Sequence, residues 1–122
     1  AIRYLQAVGL EAIQAWEAQL TRHLFTRLQA IDGVRVLGPT PDQQPERGAL
    51  ATFLVDGVHP YDLGTLLDQL GIAVRTGHHC TEPLMDKLGI PGTVRASFGA
   101  YNTVEEIDRL AEAVARAAAM LR

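Results

Sequence analysis

The sequence has one cysteine, Cys80, and one lysine, Lys87, beside ten arginines. A single thiol excludes an internal disulfide. It fits a reducing compartment such as the cytoplasm, where a lone cysteine is either buried and inert or reactive. A single lysine leaves lysine-dependent chemistry one possible carrier. No apolar run approaches the ~20 residues that a membrane span needs, and the opening residues lack the small-residue cleavage site of a signal peptide. An excess of basic residues is also missing: the net charge is −3, which leaves no footprint for nucleic acid. Disorder is excluded by 48% hydrophobic and 20% charged residues. The 122 residues suit one domain with a real core.

Ile2, Leu5 and Val8 have helical spacing, interrupted at Gly9. Leu10, Ile13, Trp16, Leu20, Leu24, Leu28 and Ile31 then step by three or four, which predicts a long helix to about Ala30. Asp32-Gly33 ends it, and Val34–Leu37 reads as a strand. Gly38 to Gly48, with Pro39, Pro41 and Pro45, reads as a surface loop. Ala49–Val55 is an apolar run of strand length. His59-Pro60 opens a helix lined by Leu63, Leu66, Leu67 and Leu70, with Gly71 as its cap. Ile72–Thr76 reads as a strand, Gly77–Pro83 as a loop, Leu84–Leu88 as a short helix ended by Gly89, and Thr93–Phe98 as a strand. A last helix starts at Asn102 or Thr103, with Glu105 or Glu106 placed for a capping box. This order predicts an α/β (α+β) domain, a small sheet with helices packed on one face. The opening residues read as cut, and the uncovered sheet face suggests a missing partner.

Arg75-Thr76-Gly77-His78-His79-Cys80 follows a strand and enters a loop, a common placement for reactive groups. Protonated histidines or an arginine beside a thiol lower its pKa, and an exposed thiolate is a nucleophile at neutral pH. The bland alternative makes Cys80 a small apolar filler. A metal site is a further alternative, but the side chains of three consecutive residues diverge, whereas zinc needs a converging tetrahedral set. Arg75 and Arg95 each lie in a mostly apolar strand, where a guanidinium needs a partner. The bland reading is a salt bridge to an acidic side chain or an exposed strand face; the sharp one is a clamp on a substrate carboxylate, which the planar fork fits bidentately. His23 reads as a surface or edge residue, His59 as a helix-entry residue, and Lys87 as a solvated charge.

Ala73-Val74-Arg75-Thr76-Gly77-His78-His79-Cys80 with Pro83-Leu84-Met85, then Arg95-Ala96-Ser97-Phe98 and Tyr101-Asn102-Thr103, resemble the SufS/CsdA-type (group II) cysteine desulfurases. These are class V aminotransferase-like enzymes of fold-type I. His59-Pro60-Tyr61-Asp62 agrees in order and spacing, so the resemblance covers essentially the whole chain. It implies that residues 1–122 form the C-terminal small domain of a longer enzyme whose large, cofactor-binding domain lies outside this sequence. It also implies conversion of L-cysteine to L-alanine with the sulfur carried as a persulfide for iron-sulfur cluster assembly. Cys80 would be the nucleophile. Arg95, and with it Arg75, would hold the substrate, and Thr76, Gly77, His78 and His79 would place the loop. Pyridoxal phosphate is expected in the complete enzyme and none on this chain, because its lysine motif is missing; no metal is expected. Expected partners are the large domain, a second copy in a homodimer and a sulfur acceptor of the SufE kind, with neither nucleic acid nor membrane. The alternatives are a non-catalytic module that docks the acceptor, or part of a selenocysteine lyase.

Overall fold

The computed structural model describes residues 1–43 and 48–121. Pro45, expected in the surface loop, lies outside them. The elements run α1 (Ile2–Val8), α2 (Leu10–Gln29), β1 (Val34–Leu37), β2 (Leu50–Val55), α3 (Pro60–Gln69), β3 (Arg75–Gly77), α4 (Glu82–Leu88), β4 (Thr93–Ser97) and α5 (Val104–Leu121). The strands form one antiparallel sheet in the order β1-β2-β4-β3.

Strand alternation gives the sheet two different faces. Ala51, Phe53 and Val55 of β2 and Val94 and Ala96 of β4 are buried against Leu20, Leu24 and Leu28 of α2, Leu63 and Leu67 of α3 and the Ile107–Ala118 stripe of α5. A fully buried side chain such as Phe53 contributes about 2 kcal/mol relative to exposure. The helices thus cover one face, as the pattern predicts. The other face carries Arg75 on β3, Thr52 on β2, and Thr93, Arg95 and Ser97 on β4, by strand alternation and register.

Several expectations shift, each for a local reason. The expected Ile72–Thr76 strand is paired only over Arg75–Gly77. The chain first completes a helix stop: Gly71, at φ 83, donates to the Asp68 carbonyl, and Ile72 donates to that of Leu67, both at 2.9 Å. This is a Schellman ending, and it turns the Ile72 N–H back to the helix and away from the sheet. The short helix starts at Glu82, two residues before the expected Leu84, because Pro83 lies in the first turn, where no N–H is required. Leu10 belongs to the apolar spacing but is 63% exposed, and no residue of α1 is buried. At the last helix, Thr103 and Glu106 form the capping box: Glu106 N donates to Thr103 Oγ1 at 3.2 Å, and Thr103 N donates to Glu106 Oε1 at 2.9 Å. His59 is a helix-entry residue, its Nδ1 accepting from Tyr61 N at 3.1 Å. Trp16 is half-buried and ties α2 to the turn before α5, its indole N–H donating to the Asn102 carbonyl at 3.0 Å.

Candidate active site

Cys80 lies in the four-residue segment between β3 and α4, and it is exposed. The buried-filler alternative is therefore wrong: Cys80 takes no part in the core. His79 and Cys80 both hold left-handed backbone, at φ 51 and 62. For non-glycine residues this costs about 1 kcal/mol each and persists only where the surroundings enforce it. Three contacts do so. The His78 carbonyl accepts from Thr81 N at 2.7 Å and from Thr81 Oγ1 at 2.6 Å, closing the turn. Gly77, at φ 117, lies so close to Gly92 that a Cβ on Gly92 would be 2.9 Å from the Gly77 carbonyl carbon and oxygen. His79 Nε2 is 2.9 Å from Thr93 Oγ1.

The neighbouring groups sort by face. Arg75 and Arg95 are direct cross-strand partners, so their side chains leave the sheet on the same side. Two like charges placed so repel each other, and an anion between them relieves the repulsion. Arg95 is half-buried, and its Nε is sealed from solvent with no hydrogen-bond partner among the described residues. An orphaned buried donor of this kind costs about 1–3 kcal/mol. Neither arginine forms an ion pair with an acidic side chain among the described residues; Arg75 is exposed, as an ordinary strand-face charge would be, whereas half-buried Arg95 has neither an acidic partner nor full exposure. A shallow cavity of about 130 Å³, lined by Ala73, Val74, Arg75, Arg95 and Ser97, opens beside them. Thr76 faces the other way: its Cγ2 would stand 2.5 Å from a Cβ on Gly64 of α3. It fixes the strand to the helix and does not line the cavity. The His78 side chain is exposed, and Lys87 is exposed in the last turn of α4.

Burial and the Arg95 charge hold His79 below the ordinary histidine range, with smaller contributions from His78 and Arg75, while a backbone hydrogen bond at Thr93 opposes the shift. The ring is therefore less readily protonated than sequence reasoning assumes. The fixed charges acting on the His79 ring are the arginines, and the ring serves as a hydrogen-bonding group.

A pH dependence of stability follows. The unfolded chain protonates His79 at the ordinary value near 6.5, and the folded chain does so only at lower pH. The folded state thus binds fewer protons in that interval, and stability falls as pH drops below about 6.5 until the folded midpoint is passed. Asp108 acts in the same direction at lower pH: its hydrogen bond from His23 holds its carboxyl below the usual range, helped by Arg27, and that stabilisation is lost as pH falls through the folded value. Urea melts between pH 7.5 and 5 should show declining stability, and His79→Gln should flatten the upper part of the decline. A pH-independent midpoint would contradict the lowered His79 pKa.

Sequence reasoning missed Thr81, Gly92 and Thr93 as loop supports. Thr93 leaves no local signal, because its partner lies 14 residues earlier. Among the described residues no group of three or more His, Cys, Asp or Glu side chains could hold a metal.

The sequence profile of the aminotransferase class-V family matches residues 1–110. A probable cysteine desulfurase 2 of Mycobacterium leprae is 48% identical over 117 residues, covering 96% of this chain and 28% of the relative. A probable cysteine desulfurase of Halobacterium salinarum is 47% identical over 114 residues, covering 93% and 27%. Among solved structures, the apo cysteine desulfurase of Thermococcus onnurineus superposes with a TM-score of 0.90 at 38% identity, covering 98% of this chain and 29% of that one. The Escherichia coli cysteine desulfurase CsdA, in an S-sulfonic acid form, gives 0.86 at 35%, with the same coverage. The chain thus spans somewhat over a quarter of the length of these relatives. With its sheet order and loop geometry now in place, this profile match means that the chain belongs to the aminotransferase class-V family.

Proposed function

We propose that this chain is the thiol-bearing domain of a cysteine desulfurase of the SufS/CsdA type. The observations that carry the proposal are an exposed cysteine on an enforced left-handed turn that follows β3, and two arginines that share one sheet face without an acidic partner among the described residues. Arg95, with Arg75, would hold the carboxylate of L-cysteine. The Cys80 thiolate would attack the substrate sulfur. The sulfur–carbon bond of the substrate breaks, a sulfur–sulfur bond forms on Cys80, and the carbon skeleton leaves as L-alanine with the proton count unchanged.

Pyridoxal phosphate would need a Schiff-base lysine and a phosphate cradle, and the sequence offers one lysine and no Gly- or Ser-rich loop opening a helix. The chain's only lysine, Lys87, is solvent-exposed in the last turn of α4. The cofactor's lysine and phosphate ligands would belong to the remainder of the enzyme, and this chain alone would not turn over cysteine. The resemblance further suggests a cytoplasmic homodimer that serves iron-sulfur cluster assembly. The short exposed loop around Cys80 suits delivery to a separate acceptor of the SufE kind. A selenocysteine lyase would use the same two groups on a selenium analogue.

The test is direct. When the complete enzyme meets L-cysteine without an acceptor, the tryptic peptide from Thr76 to Lys87 should gain the mass of one sulfur atom. Alanine formation with this peptide unchanged would remove Cys80 from the role.

A further inference from the structure

Among the described residues, two polar side chains are buried, Thr21 and Thr93. The Thr21 hydroxyl is satisfied within its own helix, donating to the Glu17 carbonyl at 2.7 Å. Thr93 is completely buried, and its hydroxyl reaches another element, 2.9 Å from His79 Nε2. Valine has the same shape and favours strands at least as well, and a buried hydroxyl is a cost unless it is hydrogen-bonded. Packing alone therefore gives no reason for a threonine at this position, whereas the bond to His79 does.

We propose that Thr93 is a positioning residue for Cys80: its buried hydroxyl pins the His79 ring to β4, and that pin holds the left-handed turn that presents the thiol. His79 and Cys80 are the two non-glycine residues with positive φ among those described, and such a pair persists only where neighbours over-determine it. The Thr81 bonds to the His78 carbonyl close the turn upon itself without attaching it to the sheet. The Gly77–Gly92 approach attaches its base. The His79–Thr93 bond is the side-chain tie next to Cys80 itself, and it leaves Cys80 exposed. The pinned ring lies in the field of Arg95, Arg75 and His78, and a ring released into water would lose part of that field and of its desolvation.

This rests on the proposed function only in that Cys80 is the working thiol, and the test involves no turnover. Nuclear magnetic resonance of the chain supplies two readouts. One is the strong intraresidue amide-to-Hα cross-peak that marks positive φ at His79 and Cys80. The other is the titration midpoint of the His79 ring. In Thr93→Val both cross-peaks should weaken to the intensity of ordinary residues, and the His79 midpoint should rise toward the ordinary histidine value. Thr93→Ser, which keeps the hydroxyl, should restore both. Retention of both signatures in Thr93→Val, or their equal loss in Thr93→Ser, overturns the proposal. Should Thr93→Val fail to fold, His79→Ala breaks the same bond from the loop side. Loss of the Cys80 signature in that folded variant supports the pin, and its persistence overturns it. Failure of the desulfurase reading would show instead as an unmodified Cys80 in the complete enzyme, with these signatures intact.

Discussion

Exchanging Cys80 for serine should abolish sulfur transfer by the complete enzyme, lowering the rate by about 1000-fold or more, while the domain keeps its stability. The thiol is exposed and supports no core contact, so the change in folding free energy should stay within about 0.5 kcal/mol. The chemical loss is large because a serine hydroxyl is essentially un-ionised at neutral pH and oxygen does not make the sulfur–sulfur bond. Arg95→Gln provides the contrast. It keeps a donor but removes the charge, and a charge-assisted hydrogen bond contributes about 1.5–3 kcal/mol. That corresponds to roughly 10- to 100-fold in kcat/KM, carried mainly by KM. Steady-state alanine formation and urea melts separate the two variants. A Cys80→Ser enzyme with undiminished sulfur release would end the nucleophile assignment.

A larger structural effect is expected at Gly92. The added methyl of Gly92→Ala would sit 2.9 Å from the carbonyl carbon and oxygen of Gly77 and 3.1 Å from its Cα. These are backbone atoms, so no side-chain rotation relieves the clash. Overpacking of this kind costs about 3 kcal/mol, or roughly 10 °C in Tm for a domain of this size. The strand end and the Cys80 turn must separate to absorb it, so thiol chemistry should suffer along with stability. Gly48→Ala is the matched control, since a Cβ there meets nothing within 4 Å. Equal urea midpoints for the two variants would mean that the close approach is not a constraint.

The sequence makes the helices legible where spacing and end signals agree. Leu20, Leu24 and Leu28 sit at helical intervals and are fully buried. Thr103 and Glu106 stand three apart and cap each other. Gly71 stops α3 as its position predicts. Legibility ends where a long-range partner decides the outcome. Ile72–Val74 has strand composition, but the Ile72 N–H is already committed to Leu67. Leu10 keeps the helical spacing, yet nothing among the described residues covers it. At the site, residue identity is readable and support is not. Cys80, Arg75 and Arg95 are conspicuous by type, and the register that sets Arg75 opposite Arg95 emerges only on pairing the strands. His79 is the instructive case. Beside a thiol it reads as a source of positive charge, but burial and the neighbouring guanidinium reverse that role.

The sheet ends on β1 at one side and on β3 at the other, strands of four and three residues. Each border strand carries an exposed arginine, Arg35 or Arg75. A border so short and so charged gives an incoming extended peptide few main-chain groups to ladder onto. The domain can therefore keep an exposed thiol at the water interface without offering the flat, neutral margin from which fibrils grow.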